Sequence, residues 1–164
     1  MSLHIGTKLI NAVPMTRLEY TEFRGWTLPV DENPNDAGYL VEYLDGGTAN
    51  TKEYSGYVSW SPKDVFDKAY NHVTSMTFGD ALVFLKAGGK VARKGWNGKD
   101  MFLYHVKANS YPVSGNPGSA VEGMFENDMV PYGAYIAMKT AQDNVVPWLA
   151  SQTDMLADDW VLIK

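Results

Sequence analysis

The side chains best suited to holding a small charged molecule lie close together in the second half of the chain. Three cations are followed by a flat aromatic and an amide: Lys90, Arg93, Lys94, Trp96 and Asn97. Cations pair with anionic groups, an indole face stacks on other rings, and an amide hydrogen-bonds to polar edges. The stretch is therefore suited to a ring-bearing anion, although a solvated basic edge beside a core tryptophan is the simpler interpretation of these residues alone.

A short helix and a strand are predicted to position this stretch. Thr77 and Asp80 have the spacing of a capping box, which predicts a helix start. The apolar residues that follow recur on one helical face: Phe78, Ala81, Leu82 and Leu85. Gly88 and Gly89 favour the left-handed backbone that ends a helix. A basic strand then leads into a predicted hairpin turn at 96–99.

Charge and composition narrow the class of function. The chain has 164 residues, a net charge of −5 and a pI near 5.1, which disfavours nucleic-acid binding by bulk electrostatics. An acidic protein with one local basic cluster fits a small anionic ligand better. There are no cysteines, which excludes disulfides and thiolate chemistry and is consistent with a reducing cytosol. Neither a membrane span nor a signal peptide is expected from the pattern of apolar residues.

The predicted elements indicate an α+β fold: a mainly antiparallel sheet with short helices, in two small modules, residues 1–73 and 74–164. Strands are predicted over 4–13, 38–44, 57–60, 90–94, 101–106, 133–139, 145–148 and 160–163. Helices are predicted over 16–23, 61–71, 76–87 and 151–157. Capping-box spacing marks the start of the first helix at Thr16 with Glu19 and of the last at Ser151 with Asp154. Ser61 is the predicted cap of the second helix, and Val65 is predicted to face inward. Residues 107–131 are predicted to form a long excursion with little periodicity, and such a loop is usually functional or disordered.

Catalytic and metal-binding patterns are weak by comparison. The three histidines, His4, His72 and His105, lack metal-ligand spacing, and neither a sharp nucleophile turn nor a glycine-rich phosphate loop is present. Asp154 and Asp158 are spaced to share a helical face and would suit paired acid–base work. A helix-start acid and a solvated acid are the simpler interpretation. No metal, cofactor or catalytic residue is therefore predicted.

Three aromatics at element boundaries are the remaining candidates for ligand binding: Phe78, Trp96 and Trp148. Each lies beside a turn or a proline, where aromatic side chains are more exposed than in mid-strand, although most still pack in cores. Trp160 lies in mid-strand among apolar residues and is assigned to the core.

Two separated segments carry a family resemblance. MTFGDALVFLKAGGKVARKGWNGKDMFLYHV and VPWLASQTDMLADDWVLI, in that order, resemble the second Thoeris anti-defence family of phage proteins over roughly residues 74–164. The resemblance implies a non-enzymatic sponge, commonly a homotetramer, that sequesters cyclic ADP-ribose isomers in the host cytoplasm. Some members also hold cyclic oligonucleotides. Residues 1–73 resemble a phage module found at the front of such proteins, for which no chemistry is implied.

The implied ligand contains adenine, two riboses and a pyrophosphate. The ligand-binding residues expected for it are Phe78, Arg93, Lys94, Trp96, Asn97, Trp148 and Asp154. The aromatics would stack on the base, and the amide and the carboxylate would hydrogen-bond to the base edge or to ribose hydroxyls. The arginine and lysine side chains, Lys99 included, would meet the phosphates with charge-assisted hydrogen bonds.

Two other functions stay open at this stage. The N-terminal module, residues 1–73, holds ten acidic and six basic residues and would inhibit a host protein by itself, without any need for Trp96. A nucleotide hydrolase, which is the weaker alternative, would use Asp154 and Asp158 as its acid–base pair.

Overall fold

The chain divides into two compact units in the computed structural model, which describes residues 1–113 and 119–164. The first unit comprises Met1–Asn71 and the second comprises His72–Lys164. Each unit combines short helices with antiparallel strands, so the predicted α+β fold class is confirmed.

The first unit contains a three-stranded antiparallel sheet and two helices. Its elements are β1 (Ile10–Pro14), α1 (Arg17–Phe23), β2 (Gly38–Tyr43), β3 (Tyr57–Pro62) and α2 (Lys63–Ala69). The strand order is β1-β2-β3, with β2 in the centre. Helix α1 begins as predicted, with a capping box between Thr16 and Glu19. Its Tyr20 packs against Leu40 and Val58 in the core of this unit.

Three predictions for the first unit are wrong in detail. The strand predicted over 4–13 begins only at Ile10, because its partner β2 ends at Tyr43, directly opposite. Ser61 does not cap α2, since it keeps a place in the β3 ladder and the helix begins two residues later. Val65 on α2 faces solvent instead of the core.

The second unit contains a five-stranded antiparallel sheet with α3 packed against it. Its elements are α3 (Phe78–Lys86), β4 (Lys90–Arg93), β5 (Phe102–Val106), β6 (Asn109–Pro112), β7 (Met129–Tyr132), β8 (Tyr135–Lys139), β9 (Val145–Pro147), α4 (Gln152–Met155) and β10 (Trp160–Ile163). The strand order is β10-β4-β5-β8-β9, and β6 pairs with β7 separately. Val73 belongs to this unit, because its carbonyl accepts a hydrogen bond from the N–H of Leu162 at 2.9 Å.

A buried apolar core lies between α3 and the five-stranded sheet. Its buried members are Met76, Ala81, Leu85, Val91, Leu103 and Trp160. The assignment of Trp160 to the core is therefore confirmed. The predicted capping boxes, Thr77 with Asp80 and Ser151 with Asp154, are both present and fix where α3 and α4 begin.

The excursion predicted over 107–131 contains more regular structure than its sequence indicates. Strand β6 pairs antiparallel with β7, with Asn109 opposite Tyr132, and a short 3-10 helix spans Glu126–Asp128. Residues 114–118 lie outside the described residues. The expectation of little regular structure is wrong for the described part, because a proline in each strand masks the alternation that would indicate pairing.

Candidate functional site

Trp160 is the fully buried centre of an aromatic cluster in the second unit. Its backbone forms a reciprocal hydrogen-bonded pair with Met76, at 2.8 and 3.2 Å, which ties the start of β10 to the segment before α3. Its indole N–H donates to the carbonyl of Asp154 at 3.0 Å. These bonds hold the indole in one orientation, so neighbouring rings pack against a fixed surface.

Three rings from different elements pack around this indole, and together they form the Trp160 cluster: Phe78, Trp96, Trp148 and Trp160. The centroids of the three outer rings lie 5.5, 5.7 and 6.0 Å from the central one. The two outer indoles meet it edge-on, at interplanar angles of 76° and 84°. Each outer residue is only partly buried. The cluster therefore has a fixed interior and aromatic surface that is still open to solvent.

Local structure explains why these rings meet. Phe78 is the first residue of α3, and the capping box at Thr77 determines where that helix begins. Trp96 follows β4, whose partner β10 begins with Trp160. Trp148 follows β9, and its backbone N–H donates to a carbonyl of β8 at 2.9 Å. The rings are thus positioned by a helix cap and by strand pairing at both edges of the five-stranded sheet.

Arg93 is held by two carboxylates. Its Nε donates to Oδ1 of Asp159 at 2.7 Å, and its Nη1 donates to Oδ1 of Asp154 at 3.0 Å. Nη1 also donates to the carbonyl of Thr153 at 3.3 Å. Because only 20% of the arginine side chain is exposed, these charge-assisted bonds are largely shielded from water. Arg93 therefore links β4 to the segment that runs from α4 to β10.

Asp154 uses both of its carboxylate oxygens within the protein. Oδ2 accepts hydrogen bonds from the backbone N–H and the hydroxyl of Ser151, at 3.1 and 2.6 Å, and Oδ1 accepts from Arg93. Burial alone would raise the pKa of Asp154, but the hydrogen bonds from Ser151 and Arg93 outweigh it and hold this pKa below its ordinary value. The carboxylate is therefore ionised at neutral pH, which does not suit a general acid.

Asp159 holds the turn that carries Trp96. Its Oδ2 accepts a hydrogen bond from the backbone N–H of Gly95 at 3.1 Å, and its main-chain carbonyl accepts from the N–H of Lys94, also at 3.1 Å. The hydrogen bond from Arg93 lowers the pKa of Asp159, and burial opposes this effect only in part. One ionised carboxylate thus binds the β4 guanidinium and the backbone just beyond it.

Exposed polar groups lie on the segment from Lys94 to Lys99, here called the basic turn. Lys94, Asn97 and Lys99 are all exposed. The Nζ of Lys94 donates to the hydroxyl of Ser75 at 3.2 Å, and this neutral partner leaves the ammonium charge uncompensated. Within the described part of the protein, the Asn97 amide has no hydrogen bond and Lys99 has no ion pair. The basic turn can therefore offer donors and positive charge to a ligand.

The structure separates the predicted ligand-binding residues into three groups. It brings together the aromatic residues Phe78, Trp96 and Trp148. It joins Arg93 to Asp154, so the two residues bind each other. It places Lys94 and Asn97 on the basic turn, which also carries Trp96, and both side chains are exposed.

Sequence patterns give no sign of two further residues of this network. Asp159 looks like part of a solvated acidic run, and Ser75 looks like a linker residue. Both act through contacts between distant segments, and Arg93 and Asp159 are 66 positions apart. The pairing of β10 with β4 would have been the signal for Asp159, but strand order is not encoded in local periodicity.

A separate pocket of about 390 Å³ lies beside the β6–β7 hairpin. Three tyrosines and one cation are among the residues that line it: Tyr111, Tyr132, Tyr135 and Lys107. The rings of Tyr111 and Tyr132 meet edge-to-face, with centroids 5.8 Å apart. This volume falls within the range of small-molecule sites. Since the pocket shares no residue with the Trp160 cluster, it is a second location at which ligand binding has to be tested.

Two features are absent from the part of the protein that the structure describes. No group of three or more histidine, aspartate or glutamate side chains is placed to hold a metal ion. No helix there has the length and apolar character that crossing a bilayer requires.

Fold and site together define a small α+β domain, with a partly exposed aromatic cluster beside a cationic turn. The sequence profile of the Thoeris anti-defense 2-like domain matches residues 76–163. Thoeris anti-defense 2 of Bacillus phage SP01 is 41% identical over 91 residues, which cover 56% of this chain and 98% of that protein. The chain belongs to the Thoeris anti-defense 2 family, so the resemblance identified from the sequence is confirmed.

The profile match lies within the second unit, so the first unit, Met1–Asn71, is outside it. Membership of this family supports a phage anti-Thoeris function that is exerted in the host.

Proposed function

We propose that the second unit binds a cyclic ADP-ribose-type signalling nucleotide and sequesters it without breaking its bonds. The observation that carries this proposal is the Trp160 cluster, whose outer rings are partly exposed and one of whose rings, Trp96, lies within the basic turn. Adenine requires a stacking face, riboses require hydrogen-bonding groups and a pyrophosphate requires cations. The cluster and the turn supply all three kinds of group.

Each of these groups has a role in the proposed complex. The stacking residues are Phe78, Trp96 and Trp148. Asn97, whose amide is exposed, hydrogen-bonds to the base edge or to a ribose hydroxyl. Lys94 and Lys99 pair with the phosphates, because neither ammonium is neutralised by a carboxylate within the described residues.

Arg93 and Asp154 act as positioning residues in this proposal. The Nε and Nη1 of Arg93 already donate to carboxylates, and both oxygens of Asp154 already accept hydrogen bonds. Their effect on the ligand is therefore indirect: they hold β4, which leads into the turn that carries Trp96, against the segment that runs from α4 to β10.

Sequestration needs no acid–base pair, and the state of Asp154 is consistent with that. The hydrolase alternative would depend on a carboxylate that accepts hydrogen bonds from Ser151 and Arg93 and whose pKa is lowered by them, against the effect of burial. Such a carboxylate holds no proton to donate at neutral pH. We therefore propose a non-enzymatic role, in which the ligand leaves the protein unchanged.

A sponge must bind its ligand more tightly than the receptor that it competes with. To hold ten ligand molecules for each one on the receptor, at equal concentrations of the two sites, it needs about 1.4 kcal/mol more binding free energy than the receptor has. A second copy that covers part of the ligand would add buried surface, so the proposal includes the homotetramer expected for this family, acting in the host cytoplasm.

Titration calorimetry of the full-length protein with cyclic ADP-ribose isomers tests the proposal. We expect saturable binding, and we expect heat denaturation to release the ligand with its bonds intact. Trp96→Ala should weaken binding by about 2 kcal/mol, which is typical of removing an aromatic that stacks on a base. Trp26→Ala is the matched control, because Trp26 is an exposed tryptophan of the first unit.

Three outcomes would contradict this proposal. Recovery of a cleaved ligand would show an enzyme, and Asp158→Asn would then test the hydrolase alternative. Absence of binding by any isomer would end the sequestration hypothesis. If Tyr132→Ala abolishes binding while Trp96→Ala does not, the ligand lies in the hairpin pocket and the assigned residues are wrong.

The alternative to sequestration is that the first unit inhibits a host protein. Residues 1–73 carry a net charge of −4, from six basic and ten acidic residues, and would block a host protein that has a basic surface. Under this alternative, the full-length protein with Trp96→Ala would still protect a phage from Thoeris. Under the sequestration proposal, the same variant would lose protection.

A further inference from the structure

Asn97 and Gly98 form the only Asn–Gly pair in the sequence. Asn97 is exposed and lies outside every helix and strand. No hydrogen bond from the described residues restrains its side-chain amide. Glycine places no side chain beside its own backbone nitrogen and has the freest backbone of any residue. An unrestrained asparagine amide next to such a nitrogen is open to attack from within the protein.

Two asparagines of the first unit, by contrast, are held by hydrogen bonds. The amide of Asn11 donates to Glu42 at 2.9 Å. The amide of Asn50 both donates to and accepts from the backbone of Val58, each at 2.8 Å. These bonds oppose the side-chain rotation that attack requires, and the residues that follow these two asparagines have side chains. Asn97 has neither form of protection.

We propose that Asn97 is a site of spontaneous deamidation, which ages the protein within its basic turn. The backbone nitrogen of Gly98 loses its proton to solvent base and attacks Cγ of Asn97. A new bond forms between that nitrogen and Cγ, the bond between Cγ and the amide nitrogen of Asn97 breaks, and the amide nitrogen leaves as ammonia. Water then opens the cyclic succinimide at one of its two carbonyls, which leaves aspartate or isoaspartate. The net reaction consumes one water and releases one ammonia.

Packing favours a glycine at position 98. A Cβ on residue 98 would lie 1.9 Å from Sδ of Met101 and 3.2 Å from Cβ of Ala141. A larger residue therefore fits only if the Met101 side chain moves. The glycine that allows tight packing of the turn also leaves the nitrogen beside Asn97 unhindered.

The effect on ligand binding rests on the proposed function. Deamidation replaces a neutral amide with a carboxylate on the same turn as Lys94 and Lys99, so it repels an anionic ligand. Isoaspartate also inserts an extra carbon into the backbone of the residue after Trp96. We expect fully aged protein to bind about tenfold more weakly, which corresponds to about 1.4 kcal/mol.

Peptide mass spectrometry of the folded full-length protein, incubated in mildly alkaline buffer, tests the modification. In the peptide that contains Asn97, the amide should be converted to an acid faster than in the peptide that contains Asn144, and the mass of each peptide reports this conversion. The rate should rise with pH, and an isoaspartyl methyltransferase should label the product. Asn97→Gln should remove both signals, because its longer side chain forms the ring far more slowly. If Asn97 keeps its amide while a free peptide of the same sequence converts, the proposal is overturned.

Calorimetry of fresh and aged protein tests the functional consequence separately. The aged wild type should lose affinity, while aged Asn97→Gln should keep whatever affinity it had when fresh. A deamidated wild type that binds as tightly as fresh protein would overturn the functional half of the inference. If fresh wild type binds no isomer, the proposed function fails, and the mass measurement still decides whether Asn97 is modified.

Discussion

Arg93 and Asp159 are joined by a hydrogen bond of 2.7 Å between Nε and Oδ1, across 66 positions of the sequence. The other oxygen of the same carboxylate accepts the backbone N–H of Gly95. The pair therefore connects the residue before Trp160 to the turn that carries Trp96. The geometry of the aromatic cluster depends on this connection, although neither charged residue belongs to the cluster.

Removing the guanidinium should destabilise the second unit. Arg93→Ala leaves Asp154 and Asp159 partly buried without their charged donor, and hydrogen bonds to charged groups contribute about 2 kcal/mol each. We expect the free energy of unfolding to fall by about 2 kcal/mol, because partial exposure lets water compensate for part of the loss. Urea unfolding measures the change in the free energy of unfolding. Hydrogen exchange of the β10 amides then shows whether the loss lies in the second unit.

Lys86→Ala is the matched control for this variant, since it removes an exposed cation from the end of α3. Its unfolding free energy should stay within about 0.5 kcal/mol of the wild type. Equal stability of Arg93→Ala and Lys86→Ala would show that the Arg93 bonds contribute nothing measurable.

The same ion pair should make the second unit sensitive to acid. The hydrogen bond from Arg93 lowers the pKa of Asp159 in the folded state, so the folded protein binds this proton less readily than the unfolded protein. The stabilisation is fully present above the unfolded aspartate pKa of about 3.9 and is lost as the pH falls through the lowered folded value. Asp159→Asn should therefore be less stable than wild type at neutral pH, and the difference should shrink in acid.

Urea titrations at several pH values measure that difference. Asp158→Asn is the neighbouring control, because Asp158 is exposed and has no ion pair among the described residues. A stability gap for Asp159→Asn that does not change between neutral and strongly acidic pH would contradict the assignment.

Local chemistry explains which parts of the fold were predictable. A capping box is complete within four residues, so the starts of α3 and α4 could be predicted at Thr77 and Ser151. The core position of Trp160 followed from its apolar neighbours. Alternation also indicated most of the strands, although it extended the first one beyond the point at which its partner ends.

The unpredicted features depend on contacts between distant segments. The β6–β7 pairing joins residues on either side of a long loop, and the Arg93–Asp159 bond requires β10 to lie beside β4. Neither relationship leaves a periodic trace in the sequence. The spacing of Asp154 indicated a helix cap correctly, but it could not show that the second carboxylate oxygen accepts a hydrogen bond from Arg93.

The capping box of α3 should be measurable as stability of the second unit. In Thr77→Ala the backbone N–H of Asp80 loses its acceptor, which typically costs about 1 kcal/mol. The change also loosens the helix start at Phe78, so the Trp160 cluster should show a small change in near-ultraviolet circular dichroism. Thr16→Ala removes the equivalent cap from α1 in the first unit. It should cost a similar amount but leave exchange of β10 amides unchanged, and faster exchange of those amides would contradict this prediction.

The close approach of Gly98 to Met101 should appear as a coupling between the two residues. Gly98→Ala places a methyl group 1.9 Å from the present position of the Met101 Sδ, so the side chain must move, and overpacking of this kind costs about 1 to 3 kcal/mol. Combining it with Met101→Ala removes the clash, so the double variant should be more stable than the sum of the two single changes indicates.

Gly79→Ala is the control glycine, because its added Cβ would meet only the Thr77 Oγ1 at 3.6 Å. As a helical position it should gain up to about 1 kcal/mol. Urea unfolding of all four variants decides the matter, and strict additivity of the Gly98 and Met101 changes would show that the two side chains do not compete for space.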